Sequence, residues 1–125
     1  MNAKILMVDD SSLARRSARR ILEEMGLTVD EASDGSSALE KFFLQRHDLV
    51  LLDMVMTGMY GLDVLCKLRE LDPSVRVIVA TADIQKTTRD QVRAAGAVAF
   101  VNKPLEAGQL RSVITQVLEG ADTWI

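Results

Sequence analysis

Leu49-Val50-Leu51-Leu52-Asp53 is the most apolar run of the chain, and it ends on a carboxylate. Four successive aliphatic side chains leave no face for water, so the run reads as a strand buried on both sides. Further strands lie on either side of it. Lys4–Val8 (KILMV) and Val75–Ala80 (VRVIVA) are apolar runs of strand length, and Val98–Val101 is another. Thr28–Ala32 (TVDEA) alternates weakly, as an edge strand does. Amphipathic stretches separate these runs. Ser11 to Met25 sets Ala14, Ala18, Ile21, Leu22 and Met25 at helical spacing, with Gly26 as the stop. Asp34 caps a second helix carrying Ala38, Leu39, Phe42 and Phe43. The loop Met54–Tyr60, whose methionines read as packing residues, leads to a third helix with Leu62, Val64, Leu65, Leu68 and Leu71, ended by Pro73. Gln85–Ala95 before Gly96 is the fourth helix and Glu106–Leu118 the fifth.

Strands and helices in strict alternation imply a parallel sheet, right-handed crossovers and helices on both faces. The length, 125 residues, suits one domain spanning 1–125, with a core over 4–118 and a tail over 120–125 whose Trp124 has no assignment. Hydrophobic residues at 48% and charged residues at 26% exclude a disordered or low-complexity chain. The single cysteine, Cys66, excludes a disulfide framework, and its spacing from Leu62 and Leu65 reads as a core or boundary thiol. The single histidine, His47, argues against a histidine metal site or a Ser-His-Asp triad, and its loop reads as exposed, at the far end of the strand from Asp53. A net charge of −3 gives no attraction to nucleic acid. No apolar run approaches the ~20 residues of a membrane span, and the N-terminus lacks a signal-peptide shape, which reads as a cytoplasmic setting.

Ligands of open parallel sheets bind at the carboxyl ends of the strands. The polar residues there are Asp9 and Asp10 after the first strand, Asp53 after the third, Thr81 after the fourth and Lys103 near the end of the fifth. Singly, each reads as a turn, cap or surface residue. In the strand order 2-1-3-4-5, taken over from known doubly wound sheets, they gather in one cleft. Three carboxylates there need a compensating cation, and a hard divalent ion such as Mg²⁺ suits oxygen ligands. A carboxylate beside Mg²⁺, an ammonium and a hydroxyl is equipped to attack a phosphoryl group and hold the acyl phosphate.

The motifs VDDS (Val8–Ser11), LLDMVM followed by YGLD (Leu51–Asp63), VATAD (Val79–Asp83) and VNKPL (Val101–Leu105) resemble, in this order and spacing, the receiver domains of two-component response regulators, chiefly the single-domain chemotaxis type. The resemblance implies a flavodoxin-like (βα)5 fold. It makes Asp53 the phosphoacceptor, Asp9, Asp10, Asp53 and the carbonyl of Val55 the Mg²⁺ ligands, Thr81 the switch hydroxyl, Phe100 the switch aromatic and Lys103 the phosphate-binding lysine, followed by a cis bond to Pro104. A phosphorylation-activated switch then follows. It is not a conventional enzyme, though it catalyses its own phosphotransfer and slow dephosphorylation. It is charged by a histidine kinase or phosphotransfer protein, and it is a monomer or a weak phosphorylation-dependent dimer. Its partner surface would lie on the fourth helix, fifth strand and fifth helix, with Lys86, Arg89 and Arg93 as contacts to a downstream protein. Two departures concern the loop and the aromatic: Thr57 stands where the family often has proline, and Phe100 has no hydroxyl.

The arginines of the first helix, Arg15, Arg16, Arg19 and Arg20, read as a solvated face or as a docking patch for an acidic partner. Asp83 is placed to orient an attacking water, and Val55 to obstruct one. The alternative is a haloacid-dehalogenase-like aspartyl phosphatase, which needs a carboxylate at Val55. A flavodoxin-like electron carrier needs a phosphate loop where Asp9 and Asp10 stand, and a P-loop enzyme needs a glycine-lysine motif that is absent.

Overall fold

The computed structural model describes residues 2–56, 58–83 and 85–120. Its strands are β1 (Lys4–Val8), β2 (Thr28–Ala32), β3 (Leu49–Asp53), β4 (Val55–Met56), β5 (Met59–Tyr60), β6 (Val77–Thr81) and β7 (Ala99–Asn102). Its helices are α1 (Ser12–Glu24), α2 (Gly35–Gln45), α3 (Gly61–Leu71), α4 (Lys86–Ala94) and α5 (Ala107–Leu118). Five strands form one parallel sheet in the order β2-β1-β3-β6-β7, the expected 2-1-3-4-5 once the short β4–β5 hairpin is set aside. Among the described residues no helix is long and apolar enough to cross a membrane.

Strand alternation divides the core in two. Leu6, Val8, Val50, Leu52, Val77 and Val79 pack toward α2, α3 and Val92 of α4. Ile5, Met7, Leu49, Leu51, Ile78 and Ala80 pack toward α1 and α5. Every residue of β3 is buried, which is why its sequence has no polar member before Asp53. Local capping agrees with the sequence. Ser11 accepts from the Ala14 amide and Asp34 from the Ser37 amide, each satisfying a helix-end donor.

The boundaries shift where turns consume backbone groups. Val75 is buried, but its amide bonds to Asp72 in the turn after Pro73, so β6 begins at Val77. The loop Met54–Tyr60 contains the antiparallel β4–β5 hairpin, in which Val55 faces Tyr60 and Met56 faces Met59. Met54 and Met56 are buried packing residues, as expected.

Two readings are corrected. His47 is buried, not exposed. Its ring stacks on Phe42, with centroids 6.2 Å apart, and its Nε2 donates to Asp30 Oδ2 at 3.0 Å. Asp30 lies on β2, a partner that the loop sequence around His47 does not reveal. Cys66 is exposed, neither a core nor a boundary thiol. The buried arc of α3 runs through Gly61, Val64, Leu65 and Leu68, and Cys66 falls outside it, one turn beyond the half-buried Leu62. On the other face of β2, Arg15 reaches Glu31 at 2.9 Å and Arg19 pairs with the second Glu31 oxygen. The α1 arginines are therefore split, with Arg15 and Arg19 in the fold and Arg16 and Arg20 exposed. Trp124 lies outside the described residues.

Burial works against the Asp30 charge. The hydrogen bond from His47 and the nearby Lys41 outweigh it and hold the carboxyl below its ordinary range. A depressed folded pKa contributes stability above the unfolded value that is lost as pH falls through the folded one. Asp30→Asn is therefore expected to cost about 1–2 kcal/mol at pH 7. The gap from the parent should narrow once pH drops below about 4. Urea denaturation at pH 7 and pH 3 checks this, and a gap that widens in acid refutes it.

Candidate functional site

Parallel register puts the carboxyl ends of the strands in one row. Val8 pairs with Leu52, Asp53 with Ala80, and Thr81 with Asn102. The Asp9 amide extends the row by donating to the Ala32 carbonyl at 3.1 Å, and the Lys103 amide donates to the Thr81 carbonyl at 2.9 Å. Asp9, Asp53 and Thr81 are all buried there. The Lys103 ammonium crosses the row and donates to Asp9 Oδ2 at 2.7 Å, lying 3.3 Å from Asp53 Oδ1. Asp9 Oδ1 accepts from the Ser11 amide at 2.9 Å, so both of its oxygens are engaged. Asp10 is exposed, yet one oxygen each from Asp9, Asp10 and Asp53 lie within 4.8 Å of one another. The Lys103–Pro104 peptide is cis.

The electrostatics follow from this crowding. Burial, then the charge of Asp9, push the Asp53 carboxyl above its ordinary range, and Lys103 only partly offsets them. Burial also works against the Lys103 charge, but its hydrogen bond to Asp9 and the charge of Asp53 outweigh it and raise the ammonium's pKa. One ammonium shared by these carboxylates leaves net negative charge in a partly desolvated cleft. Three carboxylate oxygens at that spacing suit a hard divalent cation such as Mg²⁺.

A close backbone approach fixes the loop that follows Asp53. The Gly61 amide donates to the Met54 carbonyl at 2.8 Å. A Cβ at Gly61 would lie 2.7 Å from the backbone of Asp53 and Met54, so glycine is required where α3 meets the strand end. The Val55 amide faces Asp53 Oδ1 at 3.5 Å, which sets the Val55 backbone beside the carboxylate while its side chain is 66% exposed. Phe100 is half-buried against the core on the α4 side, the side to which Thr81 belongs by alternation with Val77 and Val79. Lys86, Arg89 and Arg93 are exposed on α4, and Lys86 lies 3.6 Å from Asp90, so the patch is mixed in charge. Thr57 lies outside the described residues.

Asp83 departs from expectation. Its Oδ1 accepts from the Gln85 amide at 2.9 Å and its Oδ2 from the Thr88 hydroxyl at 2.6 Å. The Thr88 hydroxyl, then the Gln85 amide, hold the carboxyl below its ordinary range. The carboxylate is thus turned to α4 and does not face the cleft to orient water. In the sequence nothing marks Thr88 beyond its place in the first turn of a helix that begins just after an acid.

The family model of the response regulator receiver domain matches residues 5–115. The chain belongs to this family. This receiver domain is 32% identical to sporulation initiation phosphotransferase F of Bacillus subtilis over 118 residues, covering 94% of this chain and 95% of that protein. It is equally 32% identical over 118 residues to the chemotaxis protein CheY of Halobacterium salinarum, covering 94% of this chain and 98% of that one. A chain of the CheX–CheY–BeF3–Mg²⁺ complex from Borrelia burgdorferi superposes with a TM-score of 0.90 at 28% identity, over 93% of this chain and 89% of that one. Receiver domains are signalling switches of two-component systems and not conventional enzymes. The flavodoxin-like fold is shared with these CheY-type neighbours.

A folded pKa above the ordinary value means that stability is full below the unfolded pKa and declines as pH rises through the folded one. In metal-free buffer at pH 7, Asp53→Asn is therefore expected to raise Tm, by roughly 3–5 °C for each kcal/mol relieved. The gain should vanish below about pH 4. Mg²⁺ should raise the parent's Tm more than the variant's, because a ligand of the native state stabilises it. Scanning calorimetry with EDTA or Mg²⁺ reads all three, and a destabilised Asn variant in EDTA contradicts the account.

Proposed function

We propose that this receiver accepts a phosphoryl group on Asp53 from a histidine kinase or phosphotransfer protein and passes the signal by reshaping its α4–β7–α5 surface. The observation that carries the reading is the Lys103 ammonium held between Asp9 and Asp53 at the carboxyl ends of the strands. An Asp53 oxygen attacks phosphorus in line, the bond to the donor's imidazole nitrogen breaks, and the electron pair leaves with that nitrogen, which takes up a proton. The product is an acyl phosphate. Asp9, Asp10, Asp53 and the Val55 carbonyl would hold Mg²⁺, which supplies charge neutralisation at the phosphoryl oxygens. Lys103 binds one of those oxygens, moving from a pair of carboxylates to the more highly charged phosphoryl group.

Thr81 donates its hydroxyl to another phosphoryl oxygen. Its shift toward β3 opens space on the side where Phe100 is half-buried, and inward rotation of that ring follows. Phosphorylation moves this equilibrium only by its differential affinity for the two states. The downstream partner meets α4 at Lys86, Arg89 and Arg93. A haloacid-dehalogenase-like phosphatase is disfavoured because Val55 offers no acid–base group two residues past the nucleophile.

Treatment with acetyl phosphate and Mg²⁺ should place acid-labile phosphate on the parent and none on Asp53→Asn; uptake by the Asn variant defeats the assignment. Thr81→Ala should still be phosphorylated. It should lose most of the amide NMR shift changes over residues 85–105 that Mg²⁺ and beryllofluoride cause in the parent. Asp10→Ala should weaken Mg²⁺ binding more than Asp9→Ala, since both Asp9 oxygens already serve Ser11 and Lys103. A fluorescence or NMR titration showing equal affinities in both variants and the parent overturns that ranking.

A further inference from the structure

α4 is the least anchored helix of the domain. Among the described residues of Lys86–Ala94, only Thr88 and Val92 are buried, so one apolar side chain and one hydroxyl seat the whole helix. Each other helix buries at least two apolar side chains. The N-cap residue Gln85 makes no side-chain cap bond. That task falls to Asp83, which accepts from the Gln85 amide and from the Thr88 hydroxyl, the latter at 2.6 Å. The same residue's amide donates to Thr81 Oγ1 at 3.1 Å. Thr81, Asp83 and Thr88 therefore form a continuous chain of hydrogen bonds from the carboxyl end of β6 into the first turn of α4.

We propose that Thr88 is a positioning residue of the switch: its hydrogen bond to Asp83 carries the displacement of Thr81 into α4. The proposal rests on the reading above, in which the Thr81 hydroxyl engages the phosphoryl group. A hydroxyl that moves toward Asp53 must draw the Asp83 amide with it or leave that donor without its acceptor. Asp83 cannot follow alone, because its carboxylate is fastened on the opposite side to Gln85 and Thr88. With Val92 as the only buried apolar side chain of α4, little packing resists a pull on Thr88. A helix held mainly by apolar burial would not answer to one hydrogen bond in this way. The downstream contacts Lys86, Arg89 and Arg93 share the helix, so its displacement changes the surface they present.

The test uses the full chain, loaded with Mg²⁺ and beryllofluoride and followed by amide NMR. Thr88→Val keeps the shape and burial of the side chain and removes the hydroxyl. Thr88→Ser keeps the hydroxyl. Asp83→Ala removes the acceptor at an exposed position, so it reads the same link without disturbing the core. All three should load, as shown by saturating shifts at Asp9 and Asp53. Over residues 86–94, Thr88→Ser should keep the parental shift changes, whereas Thr88→Val and Asp83→Ala should lose at least about half of them. In a Thr81→Ala background, Thr88→Val should remove nothing further, because both residues act on one path. Parental α4 changes in loaded Thr88→Val or Asp83→Ala overturn the proposal, as does additive loss in the double variant. If Thr81→Ala itself keeps the parental α4 changes, the failure lies in the switch reading on which the proposal rests.

Discussion

Lys103 holds two buried carboxylates of neighbouring strands with a single ammonium, and the rest of the site is organised around that imbalance. Asp9 spends both oxygens on internal donors, one from Ser11 and one from Lys103. Asp53 is left with a longer contact to Lys103, more desolvation than its partners relieve, and a raised pKa. A carboxylate in that state gains from any cation or electrophile that enters the cleft. The folded chain holds an unfavourable charge arrangement at the end of β3, and a well-packed parallel sheet of buried strands keeps it there.

The scaffold supplies rigidity on the Asp53 side and compliance on the Thr81 side. Around Asp53, β3 is buried throughout, and the backbone of Gly61 closes against Asp53 and Met54 so tightly that no side chain fits. The Asp53 carboxylate is therefore held in a fixed direction. Beyond Thr81 the chain leaves the sheet, and its next helix, α4, rests on one apolar side chain and one hydroxyl. A rigid strand end and a loosely seated helix thus stand side by side.

The charged residues of the edge strand show a different use of electrostatics. Asp30 and Glu31 point to opposite faces of β2, and each finds cationic or hydrogen-bonding partners there: Lys41 and His47 on one side, Arg15 and Arg19 on the other. Charges on an edge strand discourage pairing with another chain. Their partners also clamp α1 and the start of β3 to the edge. Both carboxylates are matched by cationic or hydrogen-bonding partners here, unlike the cluster at Lys103, where one ammonium serves two carboxylates.

By itself the sequence determined the alternation of elements, the doubly wound class and the residues at the strand ends, because apolar periodicity and chain order are local properties. LVLLD, set among alternating helical stretches, reads as a strand buried on both faces, and the carboxylate closing it then lies at the carboxyl end of the sheet. Asp9, Asp53, Thr81 and Lys103 were legible for that reason. The tertiary structure alone decided what lay across gaps in the chain. The burial of His47 depends on Asp30, seventeen residues away on another strand. The exposure of Cys66 depends on which arc of α3 meets the sheet, which its apolar spacing left ambiguous. The turning of Asp83 to α4 depends on a threonine hydroxyl that helix docking brings within 2.6 Å. In each case the sequence states what a side chain can bond to, and only packing states which partner comes within reach, because hydrogen bonds and ion pairs act over a few ångströms while the chain brings together residues far apart in order.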